Sequence, residues 1–384
     1  MAKDVWVTGY NSNNPGPGSG YGGFMARKGL ASATFGADRV AVLDSNVDDY
    51  FAPYWENMER VRRSFNKALR TNGKPRFLFN GWQDYGGGDI TNYVRDESPG
   101  SAPVIISLTS SPESYQHSDV VVEPSYSGSG INNRQTVLMH AVTNMVTPEV
   151  LVEKTAQTQR AIPFDTVNED FMTVMVGNPQ YGVYPSRLEA MGETLAERVI
   201  KLADEKGLNL LISTSPRTDP SLIYGMQSEI DFYNRSHGDP IKIYLYEHAV
   251  DDPMNPYPGV MGLPRNRLVV VTEDSASLAS EAVASPVPVA LYSPWHQDHN
   301  YFKVMLDGFF RKKYIHKLNE MERRSPDQWE AEKIVYNTTL ETAKALKQNL
   351  LSRGLANVGD FPAVEPVQLE RVPYQPLRVP QLVA

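Results

Sequence analysis

Short apolar runs alternate with stretches of helical period along most of the chain. Val5–Thr8, Val40–Asp44, Phe77–Asn80, Val104–Leu108 and Val120–Glu123 read as strands. Helical patterns lie around Val47–Arg70, Asp89–Val94 and Pro148–Gln157. The periodicity weakens near Arg160 and then resumes with a strand at Phe171–Val176 and a helix over Pro185–Glu205. In that helix Leu188, Met191, Leu195, Val199, Ile200 and Leu202 repeat at helical spacing. Strands follow at Leu208–Ser213, Ile241–Glu247, Leu268–Val271 and Val287–Tyr292, with a helix at Pro220–Tyr233. Strand–helix alternation of this kind predicts parallel sheets with helices on both faces. The expected class is α/β: two Rossmann-like βα domains with a cleft between them and a C-terminal helical segment. The domains are expected at 1–160 and 161–298, followed by helices at Tyr301–Met321 and Trp329–Arg353 within a segment 299–355 packing back across the domains. Prolines at 362, 366, 373, 376 and 380 predict an extended tail over 356–384.

Composition narrows the classes. A chain of 384 residues, 41% hydrophobic and 21% charged, is long enough for two cores. No apolar run approaches 18 residues, so no membrane span is expected, and the N-terminus leads directly into a strand without a signal or transit pattern. Zero cysteines exclude disulfides, thiolate catalysis and cysteine-ligated zinc, which together with the missing leader points to the cytoplasm. A net charge of −8 argues against a protein built mainly to coat nucleic acid.

The densest chemistry lies after the strand that ends at Val271. Thr272, Glu273 and Asp274 form a turn, Ser275 is placed to cap a helix, and Glu281 follows Glu273 by eight positions. A helix N-terminus at the end of a parallel strand presents N–H donors and partial positive charge to an anion, while neighbouring carboxylates can hold ribose hydroxyls. Two other loops occupy equivalent positions: Gly177-Asn-Pro-Gln-Tyr-Gly182, and Ser213-Thr-Ser-Pro-Arg-Thr-Asp219, which offers hydroxyls and one guanidinium. Asn255-Pro-Tyr-Pro-Gly259, with Tyr257, is placed to contact a nucleotide base. Taken singly, each loop reads equally as a turn or cap, since Ser186, Asp219 and Ser275 are all good N-caps. Their recurrence at successive strand ends favours a phosphorylated ligand.

In the first domain, Gly18, Gly20 and Gly23 match a dinucleotide-binding G-x-G-x-x-G with Asp44 downstream, but roughly ten residues separate the first strand from the first glycine. A mobile loop carrying Gly20, Tyr21 and Gly22 is the better reading. Asp84, Glu113 and His117 follow strands and are candidate bases for an acceptor hydroxyl. No D-x-D, P-loop or trusted histidine–acid ligand spacing occurs, so neither a metal nor a cofactor is expected. The run Phe309-Phe-Arg-Lys-Lys-Tyr-Ile-His-Lys317 mixes aromatic and basic residues; it reads as an amphipathic helix with Phe309, Phe310, Tyr314 and Leu318 facing a core, and a polyanion contact is the alternative.

Several segments carry a resemblance. The Glu273–Glu281 spacing is similar to a donor motif of GT-B glycosyltransferases. Asp119-Val-Val-Val-Glu-Pro124, Val146-Thr-Pro148, Ser213-Thr-Ser-Pro-Arg-Thr218, Asn255-Pro-Tyr-Pro-Gly259 and Val271-Thr-Glu-Asp-Ser-Ala-Ser277 resemble, in order, the family named for plant mitochondrial fission. Its bacterial members are often described as glycosyltransferases. The match spans roughly residues 75–295 and departs from the family at Pro216-Arg217, where two arginines are usual. The resemblance implies a metal-independent glycosyltransferase using a nucleotide-sugar co-substrate such as a UDP-sugar. Gly177, Asn178, Thr214, Ser215, Arg217, Tyr257, Glu273, Asp274, Ser275, Ser277 and Glu281 would hold the donor. The acceptor, a glycan, a lipid or a modified DNA base, would enter near Tyr21, Asp84 and Glu113. A non-catalytic adaptor on the same fold and an NAD-dependent nucleotide-sugar epimerase are the alternatives.

Overall fold

The computed structural model describes residues 3–9, 20–44, 54–81, 87–97, 100–108, 112–125, 133–178, 184–238, 241–249, 252, 254–293 and 303–362. At 9, 20–23, 44, 54–58, 60–61, 87–90, 112–114 and 148–149 the description covers backbone alone. Two compact units emerge. Unit 1 runs to Met145 and resumes at Asn337, and unit 2 spans Val146–Tyr336.

Unit 1 is built on a six-stranded parallel sheet. Its strands are β1 (Val5–Gly9), β2 (Val40–Asp44), β3 (Phe77–Gly81), β4 (Val104–Leu108), β5 (Val120–Pro124) and β6 (Thr136–Met139). They lie in the order β2-β1-β3-β4-β5-β6. Every residue of β3 is buried, as befits a strand covered on both faces. The helices are α1 (Gly20–Phe35), α2 (Tyr54–Asn72), α3 (Gly87–Asp96) and α4 (Pro112–His117). Sequence did not anticipate α1, because its glycine-rich first turn reads as loop; Gly20, Tyr21 and Gly22 belong to that turn rather than to a mobile loop. β6 also escaped notice, being four residues long with Leu138 facing solvent.

Unit 2 carries a second six-stranded parallel sheet. It comprises β7 (Phe171–Val176), β8 (Asn209–Thr214), β9 (Ile243–Tyr246), β10 (Asn266–Thr272), β11 (Val289–Tyr292) and β12 (His316–Lys317), ordered β12-β11-β10-β7-β8-β9. Its helices are α5 (Pro148–Ala161), α6 (Pro185–Lys206), α7 (Pro220–His237), α8 (Ala276–Ala284), α9 (Lys303–Arg311), α10 (Leu318–Glu322) and α11 (Pro326–Ala331). α5 lies beyond the observed boundary because it packs on the turn Gly259–Gly262, where the Thr158 hydroxyl donates to Pro256 O at 3.2 Å.

The two long helices expected after residue 300 are both broken. The first ends at Arg311; Lys313 adopts a left-handed φ of 58°, and the chain then forms β12 beside β11 before entering α10. The second divides into α11, opened by a Ser325–Gln328 capping box, and α12 (Thr338–Ser352), capped by Asn337. Between them Tyr336 N bonds Val283 O at 2.9 Å, a partner that no local pattern announces. Lys333, in this connection, has a buried ammonium nitrogen without a hydrogen bond, and desolvation pulls its pKa down to about 7.

α12 packs on α1 in unit 1, with Ala343, Leu346 and Leu350 in the core of the first sheet. Residues 356–362, placed by sequence at the head of the extended tail, instead fold onto the same core. Phe361 stacks on Phe35 at 5.4 Å, and the buried Asp360 carboxylate pairs with Arg76. The tail beyond Pro362 lies outside the described residues.

Candidate functional site

Parallel α/β sheets bind ligands beyond the carboxyl ends of their strands, where successive connections leave in opposite directions. In unit 2 the chain moves from β7 outward to β8 and β9, then returns to place β10 on the other side of β7. The switch point therefore lies between β7 and β10, and the loops after these strands carry Gly177, Asn178, Glu273, Asp274 and Ser275.

These loops are tightly joined. Gly177 N donates to the Thr272 hydroxyl at 2.9 Å, and Asn178 N to Asp274 Oδ2 at 2.6 Å. A Cβ at Gly177 would stand 2.0 Å from Asp274 Oδ2, so only glycine permits the approach. Asp274 Oδ1 is buried without a hydrogen-bond partner, and desolvation raises the carboxyl pKa. Ser275 caps α8, its hydroxyl accepting from Leu278 N at 3.3 Å; its own proton remains a donor. Ser277 is partly exposed in the first turn of α8. Glu281 lies further along the same helix and accepts a hydrogen bond from the Tyr257 hydroxyl. Enclosure of its carboxyl pushes the pKa up to about 7. Structure thus brings together Gly177, Asn178, Asp274 and Ser275, and separately ties Tyr257 to Glu281.

The neighbouring loop after β8 plays a more structural part than expected. The Thr214 hydroxyl donates to Tyr246 O at 3.2 Å and accepts from His248 N at 2.9 Å, which fastens β8 to the end of β9. Ser215 is engaged with Thr218, through Oγ at 3.0 Å and N–H at 2.8 Å. Thr214 and Ser215 thus brace this loop within unit 2. Thr218, which sequence did not single out, reaches across to Val176 O and Gly177 O at 3.0 and 2.9 Å. Arg217 is exposed, and its charge is felt at Asp274. His248, also missed, sits just past β9, where burial lowers its pKa and favours the neutral imidazole.

In unit 1, Asp84 lies outside the described residues, and Glu113 is placed by backbone only, in the first turn of α4. His117 closes α4 three residues before β5 begins, so it stands on the approach to an amino end, not beside the carboxyl ends where a base was expected. The basic-aromatic run does not form one amphipathic helix. Arg311, Lys313, Lys317 and Arg324 share the lining of a cavity of about 710 Å³ with Asp307, Glu320 and Glu332, a mixture of charge that does not suit a polyanion. Among the described residues no helix is long and apolar enough to cross a membrane.

The Glu281 environment has a measurable consequence. A carboxyl whose folded pKa is about 7 against 4.5 otherwise favours the folded state below pH 4.5, and that contribution is lost as pH rises through 7. Glu281→Gln removes the titration. It is expected to stabilise unit 2 by about 3 kcal/mol at pH 8 and by about 1 kcal/mol at pH 5, read by urea denaturation at both pH values.

Comparison with known proteins agrees with this architecture. The sequence profile of a family described as mitochondrial fission ELM1 matches residues 90–350. No curated protein sequence matches the chain. Among solved structures, the UDP-GlcNAc 2-epimerase of Methanocaldococcus jannaschii superposes with a TM-score of 0.54 at 10% identity, over 92% of this chain and 99% of that one. The UDP-GlcNAc 2-epimerase of Neisseria meningitidis, bound to UDP-GlcNAc, gives 0.50 at 11% identity over 91% and 99%. An α,α-trehalose 6-phosphate synthase from Burkholderia multivorans gives 0.45 at 12% over 92% and 99%. At such identities the likeness concerns the fold, which is of the GT-B type.

Proposed function

The chain belongs to the mitochondrial fission ELM1 family, and we propose that its second unit binds a nucleotide sugar, most simply a UDP-sugar, whose glycosyl group it transfers to an acceptor hydroxyl. The observation that carries this reading is the β7/β10 switch point, where Gly177 closes against Asp274 at the head of α8. Leu278 N and Ala279 N in the first turn of α8 are bonded to Ser275, so the N–H groups of Ala276 and Ser277, with the Ser275 and Ser277 hydroxyls, are the donors for a diphosphate. Arg217 adds charge from the neighbouring loop. In its neutral form, which burial favours, the Asp274 carboxyl offers one more donor; as a carboxylate it would repel the phosphates. Glu281 and Glu273 take the ribose hydroxyls, and Tyr257 lies against the base. Fold-level likeness to UDP-GlcNAc 2-epimerases supports uracil as the base.

In the transfer itself the bond from the anomeric carbon to the β-phosphate oxygen breaks and its electron pair stays on the departing diphosphate. The acceptor oxygen bonds the anomeric carbon, and its proton passes to solvent water. The helix terminus and Arg217 stabilise the leaving group as its charge grows, with no metal required. Thermal denaturation with UDP, GDP and CMP tests the reading: at 100 times Kd the fitting nucleotide adds about 2.7 kcal/mol of stability. A flat response to all three would leave a non-catalytic adaptor in its place.

A further inference from the structure

Unit 2 leaves an edge of its sheet open at β12, which pairs with β11 and is the outermost strand on that side. A cavity of about 710 Å³ lies against it, a size that suits a short peptide or a small molecule. Ile315, His316 and Lys317 all line this cavity, and no residue of β11 does. Side chains alternate between the two faces of a strand, so consecutive residues along one wall mean that the cavity meets β12 at its edge. There a strand offers backbone N–H and C=O groups to any chain laid beside it.

The charges around the cavity do not cancel evenly. Glu332 accepts from Arg324, and Glu320 faces His316 Nδ1 at 3.5 Å, so both acids are already engaged. Lys317 Nζ lies 5.9 Å from the centre of the Phe310 ring. Arg311 uses its Nε alone, on Asp307 O at 3.3 Å. Among the described residues, the outer nitrogens of Arg311, the Lys313 ammonium and the Asp307 carboxylate have no hydrogen-bond or ion partner. An excess of unengaged cation over a lone carboxylate suits a single negative charge and not a polyanion. The turn that carries these cations is fixed by its backbone: Lys312 N, Lys313 N and Tyr314 N bond Gly308 O, Phe310 O and Phe309 O at 3.1, 3.1 and 2.9 Å. Phe310 and the buried Ile315 supply apolar surface beside it.

We propose that this edge takes the carboxyl-terminal residues of an extended peptide partner, which add as a strand beside β12, with the terminal carboxylate on Arg311 and Lys313 and an apolar side chain against Phe310 and Ile315. The site uses none of the residues assigned to the nucleotide and stands independently of that reading. Isothermal titration of the full chain with the acetylated tripeptide Val-Thr-Val tests it, beside the carboxyl-terminal amide of the same peptide and a form N-methylated at its threonine. Saturable binding of the free acid is expected, weakened about tenfold by amidation and about tenfold by N-methylation. Lys313 has a left-handed φ of 58°, so Lys313→Gly removes the charge at a position that glycine suits and should fold as the parent does. Combined with Arg311→Gln, it should bind the acid about tenfold more weakly and leave affinity for the amide unchanged. Absence of saturable binding, equal affinity for acid and amide, an N-methylated peptide that binds as well as the unmethylated one, or parental affinity in the folded double variant would overturn the proposal.

Discussion

Gly225→Val is expected to destabilise the second unit by about 3 kcal/mol or more, lowering its Tm by roughly 10 °C. α6 and α7 touch backbone to backbone. A Cβ at Gly225 would stand 2.0 Å from Glu189 O and 2.8 Å from Glu189 C, and one at Gly192 would meet Leu222 O at 2.2 Å. Neither partner is a side chain that can swing aside. Valine must therefore separate the helices, and their buried faces, with Leu188, Leu195 and Ala196 on one and Leu222 and Met226 on the other, lose contact along the seam. Because α6 and α7 follow β7 and β8 directly, the loops at the switch point would move with them. Differential scanning calorimetry should show the loss in the transition of unit 2, and a shift below 2 °C would mean that the helices part at little cost.

Glu281→Ala is expected to weaken nucleotide binding about 100-fold, equivalent to about 2.7 kcal/mol. The carboxylate is the single acidic group on α8 itself, and the Tyr257 hydroxyl orients it. On the proposed reading, its loss removes the acceptor for the ribose hydroxyls, together with the hydrogen bond from Tyr257. The fold should survive, because a carboxyl whose pKa stands near 7 is a poor contributor to stability at pH 8. Fluorescence titration and circular dichroism on the same sample separate the two effects. A mutant that unfolds would make Glu281 a structural residue and remove its ribose role.

Much of the architecture was legible in the chain. Buried parallel strands are continuous apolar runs, and Phe77–Asn80, Phe171–Val176 and Leu268–Val271 announced themselves as such. Where the reading failed, the deciding partner was distant in sequence. α1 begins with glycines and is held by α12, more than 300 residues away. β12 exists because two residues find β11, and the break before α12 exists because Tyr336 finds Val283. Site residues divide in the same manner. The strand–turn–helix at Thr272–Glu281 was visible because it is local, whereas the bonds that tie Thr214 to Tyr246 and His248 join two strand ends and left no local signal.

A crystal structure of the full chain soaked with UDP addresses the main claim most directly. The diphosphate is expected within hydrogen-bond distance of Ala276 N and Ser277 N at the head of α8, with the ribose against Glu281. UDP bound elsewhere on the protein, or absent at a concentration that saturates the solution titration, would contradict it.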